Sequence, residues 1–139
     1  MASTILRSPE ETVAFGNAFA GGLAAGDVLA LSGELGAGKT HFVKGLAAGL
    51  GVSTPVTSPT FTLIHEYLGA RLSLFHFDFY RLETEEEVLA IGLDDYLSGD
   101  GIVVIEWAEK FAALLPESTR WLELRLISET ERELIEVSK

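Results

Sequence analysis

Cysteine is absent from the 139-residue chain, which excludes disulfides and thiolate metal sites. Basic residues are also few: ten Lys and Arg stand against 21 Asp and Glu, for a formal net charge of −11. Proteins that hold nucleic acid through its phosphates normally show a basic surface, so tight direct binding of RNA or DNA is not expected. No apolar run approaches the roughly 18 residues of a membrane span, and the N-terminus lacks the apolar core of a secretory signal. We therefore expect a single cytoplasmic domain over residues 1–139 with no membrane contact.

Residues 33–40 match the phosphate-binding pattern G-x-x-x-x-G-K-[ST] in full. Its glycines allow backbone conformations that turn successive N–H groups toward a polyphosphate. Lys39 is predicted to reach the outer phosphates, and the Thr40 hydroxyl to bind Mg²⁺. An apolar strand-like run precedes the loop and a helical pattern follows it, as such a loop requires. The residues predicted to bind the nucleotide phosphates are Gly33, Glu34, Leu35, Gly36, Ala37, Gly38, Lys39, Thr40 and His41.

The remaining pattern predicts an α/β fold. Helices are expected from capping signals at Ser8 and Thr84, after the phosphate loop, and over residues 94–98. In the first helix the four-residue spacing of Phe15, Phe19 and Leu23 predicts a stripe that faces the core. Strands are expected at residues 28–31, 62–67, 71–77, 102–106, 121–126 and 134–137. These elements predict a mixed sheet flanked by helices, of the P-loop nucleotide-hydrolase type, with an antiparallel C-terminal hairpin at one edge.

Two of the expected strands end in an acidic residue, Asp78 and Glu106. Ligands of open α/β sheets lie outside the carboxyl ends of the strands, so these positions suit a carboxylate that binds a metal ion. The alternative for each is a carboxylate that caps the next helix. With the phosphate loop present, we expect at least one of the two to serve the metal.

The identity of the nucleotide follows from an absence. GTP-specific proteins of this class usually recognise guanine with an Asn/Thr-Lys-x-Asp segment, and no lysine of this chain is followed two residues later by aspartate. ATP is therefore the expected nucleotide.

Residues 52–61 are too rich in hydroxyl groups and proline for a helix. In P-loop switch proteins this position carries a loop ordered by the terminal phosphate and Mg²⁺, and Thr57, Ser58 and Thr60 are the candidate contacts. A plain surface connection is the alternative. Arg81 is a candidate for stabilising transition-state charge or for a salt bridge to nearby glutamates. Trp107 is either a core anchor or an aromatic wall of the site.

Taken together, four motifs resemble the bacterial TsaE (formerly YjeE) family. They are the phosphate loop and residues 58–63, 76–82 and 105–107, which span essentially the whole chain. The resemblance implies a small Mg²⁺-dependent P-loop ATPase of tRNA threonylcarbamoyladenosine synthesis. It implies that the protein binds a TsaD–TsaB heterodimer and drives its cycle by ATP hydrolysis, with tRNA handled by the partners. It also implies that Glu106 is the second metal ligand and Asp78 the acid of a Walker-B-like strand, with Lys39 in the catalytic set.

Two other functions remain open on the sequence. A small-molecule kinase would transfer the terminal phosphate to a metabolite, but such enzymes usually carry an arginine-bearing lid, and the six arginines here are scattered. A nucleotide-dependent switch module with negligible hydrolysis shares every feature of the ATPase. Turnover measurements, alone and with partners, separate these possibilities.

Overall fold

A seven-stranded mixed sheet is the centre of the structure, a computed structural model that describes residues 2–34, 38–59 and 62–137. Its strands in chain order are β1 (Ala2–Leu6), β2 (Val28–Gly33), β3 (Ile64–Tyr67), β4 (Leu74–Asp78), β5 (Ile102–Glu106), β6 (Arg120–Leu126) and β7 (Arg132–Val137). Their order across the sheet is β1-β7-β6-β2-β5-β4-β3. Strands β6, β2, β5 and β4 are parallel, whereas the outer pairs are antiparallel. The expected α/β class is confirmed.

The C-terminal hairpin formed by β6 and β7 is confirmed, but its predicted place at the sheet edge is wrong. Strand β1 pairs antiparallel with β7 along its whole length, from Ala2 opposite Glu136 to Leu6 opposite Arg132. The N-terminal segment thereby satisfies the outer N–H and C=O groups that β7 would otherwise expose. Its five residues carry too short a pattern to identify as a strand before the partner is known.

Helices cover both faces of the sheet. They are α1 (Pro9–Ala20), α2 (Lys39–Gly49), α3 (Glu85–Ala90), α4 (Leu93–Leu97) and a 3-10 segment (Ala108–Leu114). The predicted caps are confirmed: Ser8 accepts the Glu11 N–H, and Thr84 forms a reciprocal capping box with Glu87. The 3-10 segment was not predicted, and Phe111 interrupts it with non-helical dihedral angles.

The sheet separates two apolar cores. On one face α1 and α2 pack over alternate residues of the parallel strands, including Leu31 and Val104. On the other face α3, α4 and the 3-10 segment cover the intervening residues, including Ala30 and Ile105. Strands buried on both sides read as nearly continuous apolar runs, which is why β2 and β5 were recognisable in the sequence.

Glycines bring α1 and α2 into close contact. A Cβ at Gly45 would collide with the Val13 carbonyl oxygen and lie 2.9 Å from the Gly16 Cα. The predicted stripe of α1 faces the core: Leu23 is buried in it, and Phe15 and Phe19 pack against it partly buried. Within α1 itself the most buried positions are Thr12, Gly16 and Ala20.

The β3–β4 hairpin is confirmed, with shorter strands than expected. Residues 69–72 leave the ladder because their backbone bonds to the end of α2 instead, with Gly69 bridging Val52 and the Arg71 N–H bonding Leu50 O. The Arg71 guanidinium also donates to Ala20 O and Leu23 O, at 3.1 and 2.6 Å, and so caps the C-terminal end of α1. Among the described residues, no helix has the length and apolar character to cross a membrane.

Candidate functional site

The start of α2 carries a buried lysine at the carboxyl end of the parallel strands. Gly38 precedes the helix in a left-handed conformation, with φ of 96°, and Lys39 is only 8% exposed. Lys39 Nζ donates to Gly33 O at 2.8 Å, lies 3.8 Å from Glu106 Oε1 and stands 5.1 Å from the centre of the Trp107 ring. These contacts join the end of β2, the start of α2 and the end of β5 in one place.

The phosphate loop is described at both of its ends. Leu35, Gly36 and Ala37 lie outside the described residues, and so do the predictions made for them. Gly33 ends β2, Glu34 is exposed, and Thr40 and His41 line a cavity beside the α2 N-terminus. A helix N-terminus offers unpaired backbone N–H groups and a positive dipole end, which suits an anion.

Both strand-terminal acids lie at this cavity. Asp78 and Glu106 are register partners on the adjacent parallel strands β4 and β5, and they are 2% and 5% exposed. Asp78 Oδ1 accepts the Tyr80 N–H at 2.8 Å, so this carboxylate also holds the turn after its strand. The alternative raised for Asp78 was a cap on the next helix, but the N-cap of that helix is Thr84, and the bond from Tyr80 lies within the turn after β4.

Glu106 is held in its charged form against the effect of its burial. Burial by itself raises the pKa of a carboxyl group. Here the hydrogen bond to His76 Nε2, at 2.6 Å, and the charge of Lys39 outweigh burial, and the Glu106 pKa lies below its usual value. His76 is fully buried and was not predicted as a site residue. The available signal was a polar residue within an apolar strand, two positions before Asp78.

Trp107 forms an aromatic wall of the cavity and also borders the second core. Its backbone is left-handed, with φ of 59°, a strained conformation for a bulky residue. The centres of the Trp107 and Tyr80 rings are 4.9 Å apart, and Lys110 Nζ donates to Tyr80 O at 2.7 Å. Trp107 is therefore both an aromatic wall of the cavity and a side chain that packs against the core.

Among its described residues, 52–59, the hydroxyl-rich segment contributes Ser58 to the cavity lining. Ser58 lines the cavity, whereas Thr57 is turned toward β3, where its N–H donates to the Tyr67 hydroxyl at 3.2 Å. The His65 ring contacts the chain on both sides of Ser58, with Nδ1 3.2 Å from Thr57 O and Nε2 2.8 Å from Thr62 Oγ1. Thr60, the third predicted switch residue, lies outside the described residues.

The cavity has a volume of about 370 Å³. Of the predicted residues that the structure describes, eight line it: Gly38, Lys39, Thr40, His41, Ser58, Asp78, Glu106 and Trp107. Arg81 is exposed and is not part of this lining. The lining also contains residues that sequence reasoning did not identify, from the start of α1 and from the β6–β7 turn: Pro9, Thr12, Glu129, Thr130 and Arg132.

Within the described ranges, no group of three or more His, Asp or Glu side chains is arranged to hold a metal ion by itself. The buried Glu106 carboxylate and the Thr40 hydroxyl nevertheless offer oxygen ligands next to a lysine. That donor set fits Mg²⁺, which usually binds one or two protein oxygens and completes its shell with phosphate and water. The residues present are therefore compatible with a Mg²⁺–nucleotide ligand.

The comparisons with known proteins agree on one family. A family model described as "Threonylcarbamoyl adenosine biosynthesis protein TsaE" matches residues 6–134. The tRNA threonylcarbamoyladenosine biosynthesis protein TsaE of Treponema pallidum is 45% identical over 130 residues, covering 94% of this chain and 96% of the relative. The protein of the same name from Bacillus subtilis is 46% identical over 127 residues, covering 91% and 79%.

A solved structure is similar over nearly the whole chain. The crystal structure of Bacillus subtilis YdiB superposes with a TM-score of 0.85 at 37% sequence identity, covering 99% of this chain and 84% of that one. The family match, the relatives and the shared fold agree, and the chain therefore belongs to the TsaE family of tRNA threonylcarbamoyladenosine biosynthesis proteins.

Proposed function

We propose that this protein binds ATP with Mg²⁺ in the cavity beside Lys39 and hydrolyses it. The observation that carries the proposal is the convergence of Lys39, Asp78 and Glu106 at the carboxyl ends of parallel strands, next to a helix N-terminus. Cation, carboxylates and helix end are the groups that a polyphosphate–Mg²⁺ ligand requires. A volume of about 370 Å³ is within the range of small-ligand sites.

Each group has a separate task in this proposal. Lys39 binds phosphate oxygens, which replace Gly33 O as acceptors for its ammonium group. Thr40 and Glu106 hold the metal, which, when bound, neutralises charge on the terminal phosphates. The Tyr80 N–H holds the Asp78 carboxylate next to Glu106, and in this proposal Asp78 would orient water near the metal. Trp107 limits solvent access from one side.

The nucleoside is assigned to the part of the wall that comes from the start of α1 and the β6–β7 turn. With the phosphates at Lys39, the nucleoside would contact this part of the lining, which consists of Pro9, Thr12, Glu129, Thr130 and Arg132. The sequence lacks the usual guanine-recognition segment, so ATP is preferred over GTP. Competition between ATP and GTP for the same site measures this preference directly.

In this proposal the acceptor of the terminal phosphate is water, and the free energy of hydrolysis drives the cycle of a partner. We infer that ATP–Mg²⁺ orders the segment around Ser58, that the segment docks on a TsaD–TsaB heterodimer, and that hydrolysis releases it. The membership in the TsaE family and the position of Ser58 at the cavity support this inference. A net charge of −11 favours contact with tRNA through the partners only.

ATP turnover by the chain alone and with the TsaD–TsaB pair tests the proposal. We expect slow hydrolysis alone and a clear change with the pair. Thr40→Ala removes the proposed metal ligand and is expected to lower turnover by about 100-fold, which corresponds to about 2.7 kcal/mol of barrier. Ser118→Ala is the control for the loss of a hydroxyl group, since Ser118 is exposed, does not line the cavity and lies outside residues 52–61. Normal hydrolysis by Thr40→Ala would contradict the metal assignment.

The same assay decides between the alternative functions. If the pair neither binds nor alters turnover, the partner assignment is wrong. Undetectable hydrolysis under all conditions, together with ATP-dependent binding of the pair, would indicate a switch module. Transfer of labelled terminal phosphate to a metabolite instead of water would indicate a kinase.

A further inference from the structure

A buried hydrogen bond joins His76 of β4 to Glu106 of β5. Val104, not Glu106, is the register partner of His76, so the bond runs diagonally between side chains on the same sheet face. The distance from His76 Nε2 to Glu106 Oε2 is 2.6 Å, and His76 has no solvent exposure. Both residues are fixed on central parallel strands, so neither position depends on a loop.

The ring orientation defines which nitrogen carries the proton. Glu106 is a carboxylate beside Lys39 and therefore accepts hydrogen bonds, so Nε2 must donate. Nδ1 is buried and has no hydrogen-bond partner among the described residues. If the proton were on Nδ1 instead, a buried N–H would have no acceptor, and two acceptors, Nε2 and the Glu106 carboxylate, would face each other. That arrangement costs more free energy than an unpaired acceptor at Nδ1. The ring thus presents Nε2–H to Glu106.

The two oxygens of the Glu106 carboxylate have different partners. Oε2 is occupied by His76, while Oε1 is the oxygen that lies 3.8 Å from Lys39 Nζ at the phosphate end of the cavity. We propose that His76 is a positioning residue, which holds Glu106 so that Oε1 is presented to the nucleotide-bound metal. The inference rests on the proposed function, because it assigns Glu106 to that metal.

A purely structural role explains the same burial less well. The neighbours of His76 toward the core on this face, Leu74 and Val104, are apolar, and an aliphatic side chain at position 76 would avoid the desolvation of an imidazole. Carboxylates that bind metals are commonly oriented by a second hydrogen bond, and the loss of such a partner typically weakens metal binding by about 10- to 100-fold.

The test compares two variants of similar size. His76→Gln keeps an N–H donor near the position of Nε2, whereas His76→Met has no donor. The affinity for a non-hydrolysable ATP analogue is measured by calorimetry with saturating Mg²⁺ and with EDTA, and the ratio of the two affinities reports the contribution of the metal. We expect His76→Met to reduce this ratio by about tenfold with unchanged affinity in EDTA, and His76→Gln to stay close to wild type. A merely structural residue would alter thermal stability in both variants without changing the ratio.

The outcomes separate the inference from the proposed function. A wild-type ratio near one would overturn the metal assignment of Glu106 and the inference with it. A large wild-type ratio that is unchanged in His76→Met would overturn the inference alone.

A measurement on the unmutated protein covers the case in which His76→Met does not fold. Two-dimensional ¹⁵N–¹H correlation of the histidine rings identifies the protonated nitrogen of His76, assigned by its loss in His76→Gln. A proton on Nε2 supports the inference, and a ring protonated on Nδ1 alone would overturn it, because such a ring cannot donate to Glu106.

Discussion

Lys39 Nζ lies 3.8 Å from Glu106 Oε1 where both side chains are almost fully buried. Opposite charges attract more strongly in such surroundings than in water. In the proposed function, a phosphate group would therefore compete with Glu106 for the ammonium group, and a metal ion would compete with Lys39 for the carboxylate. When phosphate and metal enter together, each side chain exchanges its partner for a new opposite charge, and neither is left unpaired. The Lys39–Glu106 pair therefore favours a ligand that carries both phosphate and metal.

Lys39→Met is expected to weaken ATP binding by about 10- to 100-fold, since hydrogen bonds to a charged group contribute about 1.5–3 kcal/mol. Calorimetric titration with the ATP analogue and Mg²⁺ measures the loss. Lys44→Met is the matched control, because Lys44 is exposed on the same helix and does not line the cavity. Equal affinities of the two variants would show that Lys39 does not contact the phosphates.

The sequence predicts those parts of the site that depend on local pattern. Lys39 and Thr40 follow from the spacing of the phosphate loop, and Asp78 and Glu106 from acids at the ends of apolar strands. The His76–Glu106 bond could not be predicted because it depends on β4 and β5 being neighbours. Likewise, Arg132 reaches the cavity because β6 pairs with β2, an arrangement that no local pattern reveals.

The fold shows the same limit. Capping residues and apolar runs identify most helices and strands, but β1 depends on its pairing with the distant strand β7. The β3–β4 ladder stops at the pair Tyr67 and Leu74 because the residues between them bond to the end of α2, a contact that exists only in the folded chain. Local pattern thus locates elements, whereas tertiary contacts set their boundaries and neighbours.

Tyr67→Phe is expected to loosen the segment that contains Thr57. The Tyr67 hydroxyl accepts the Thr57 N–H at 3.2 Å and lies 3.1 Å from His65 Nδ1. Loss of one such bond, about 1 kcal/mol, corresponds to about fivefold faster exchange of the Thr57 amide hydrogen. Hydrogen exchange followed by NMR measures this rate. Tyr96→Phe provides the control, since its hydroxyl bonds Glu66 instead, and unchanged exchange at Thr57 in both variants would refute the proposed restraint.

Gly45→Ala is expected to destabilise the protein by about 3 kcal/mol, even though alanine is the better helix former by about 1 kcal/mol. The added methyl group would collide with the Val13 carbonyl oxygen and force α1 and α2 apart. Gly22→Ala is the matched control, because a Cβ there would meet its nearest atom, Phe19 O, at an ordinary 3.7 Å. Denaturant unfolding gives both free energies, and equal stability of the two variants would contradict the close helix contact.

Glu136→Gln is expected to change stability in a pH-dependent way. Two hydrogen bonds from Arg120, at 2.7 and 2.9 Å, lower the Glu136 pKa from its ordinary value of 4.5. Because the folded-state pKa is the lower one, the stabilisation is fully present above the unfolded-state value and is lost as the pH falls through the folded-state value. Both side chains are about one-third exposed, which limits the effect at pH 7 to about 0.5 kcal/mol. Thermal unfolding of both proteins from pH 7 to pH 3 should therefore show a gap that closes in acid, while the exposed substitution Glu117→Gln shows none. A gap that persists or widens at pH 3 would exclude the ion pair as its source.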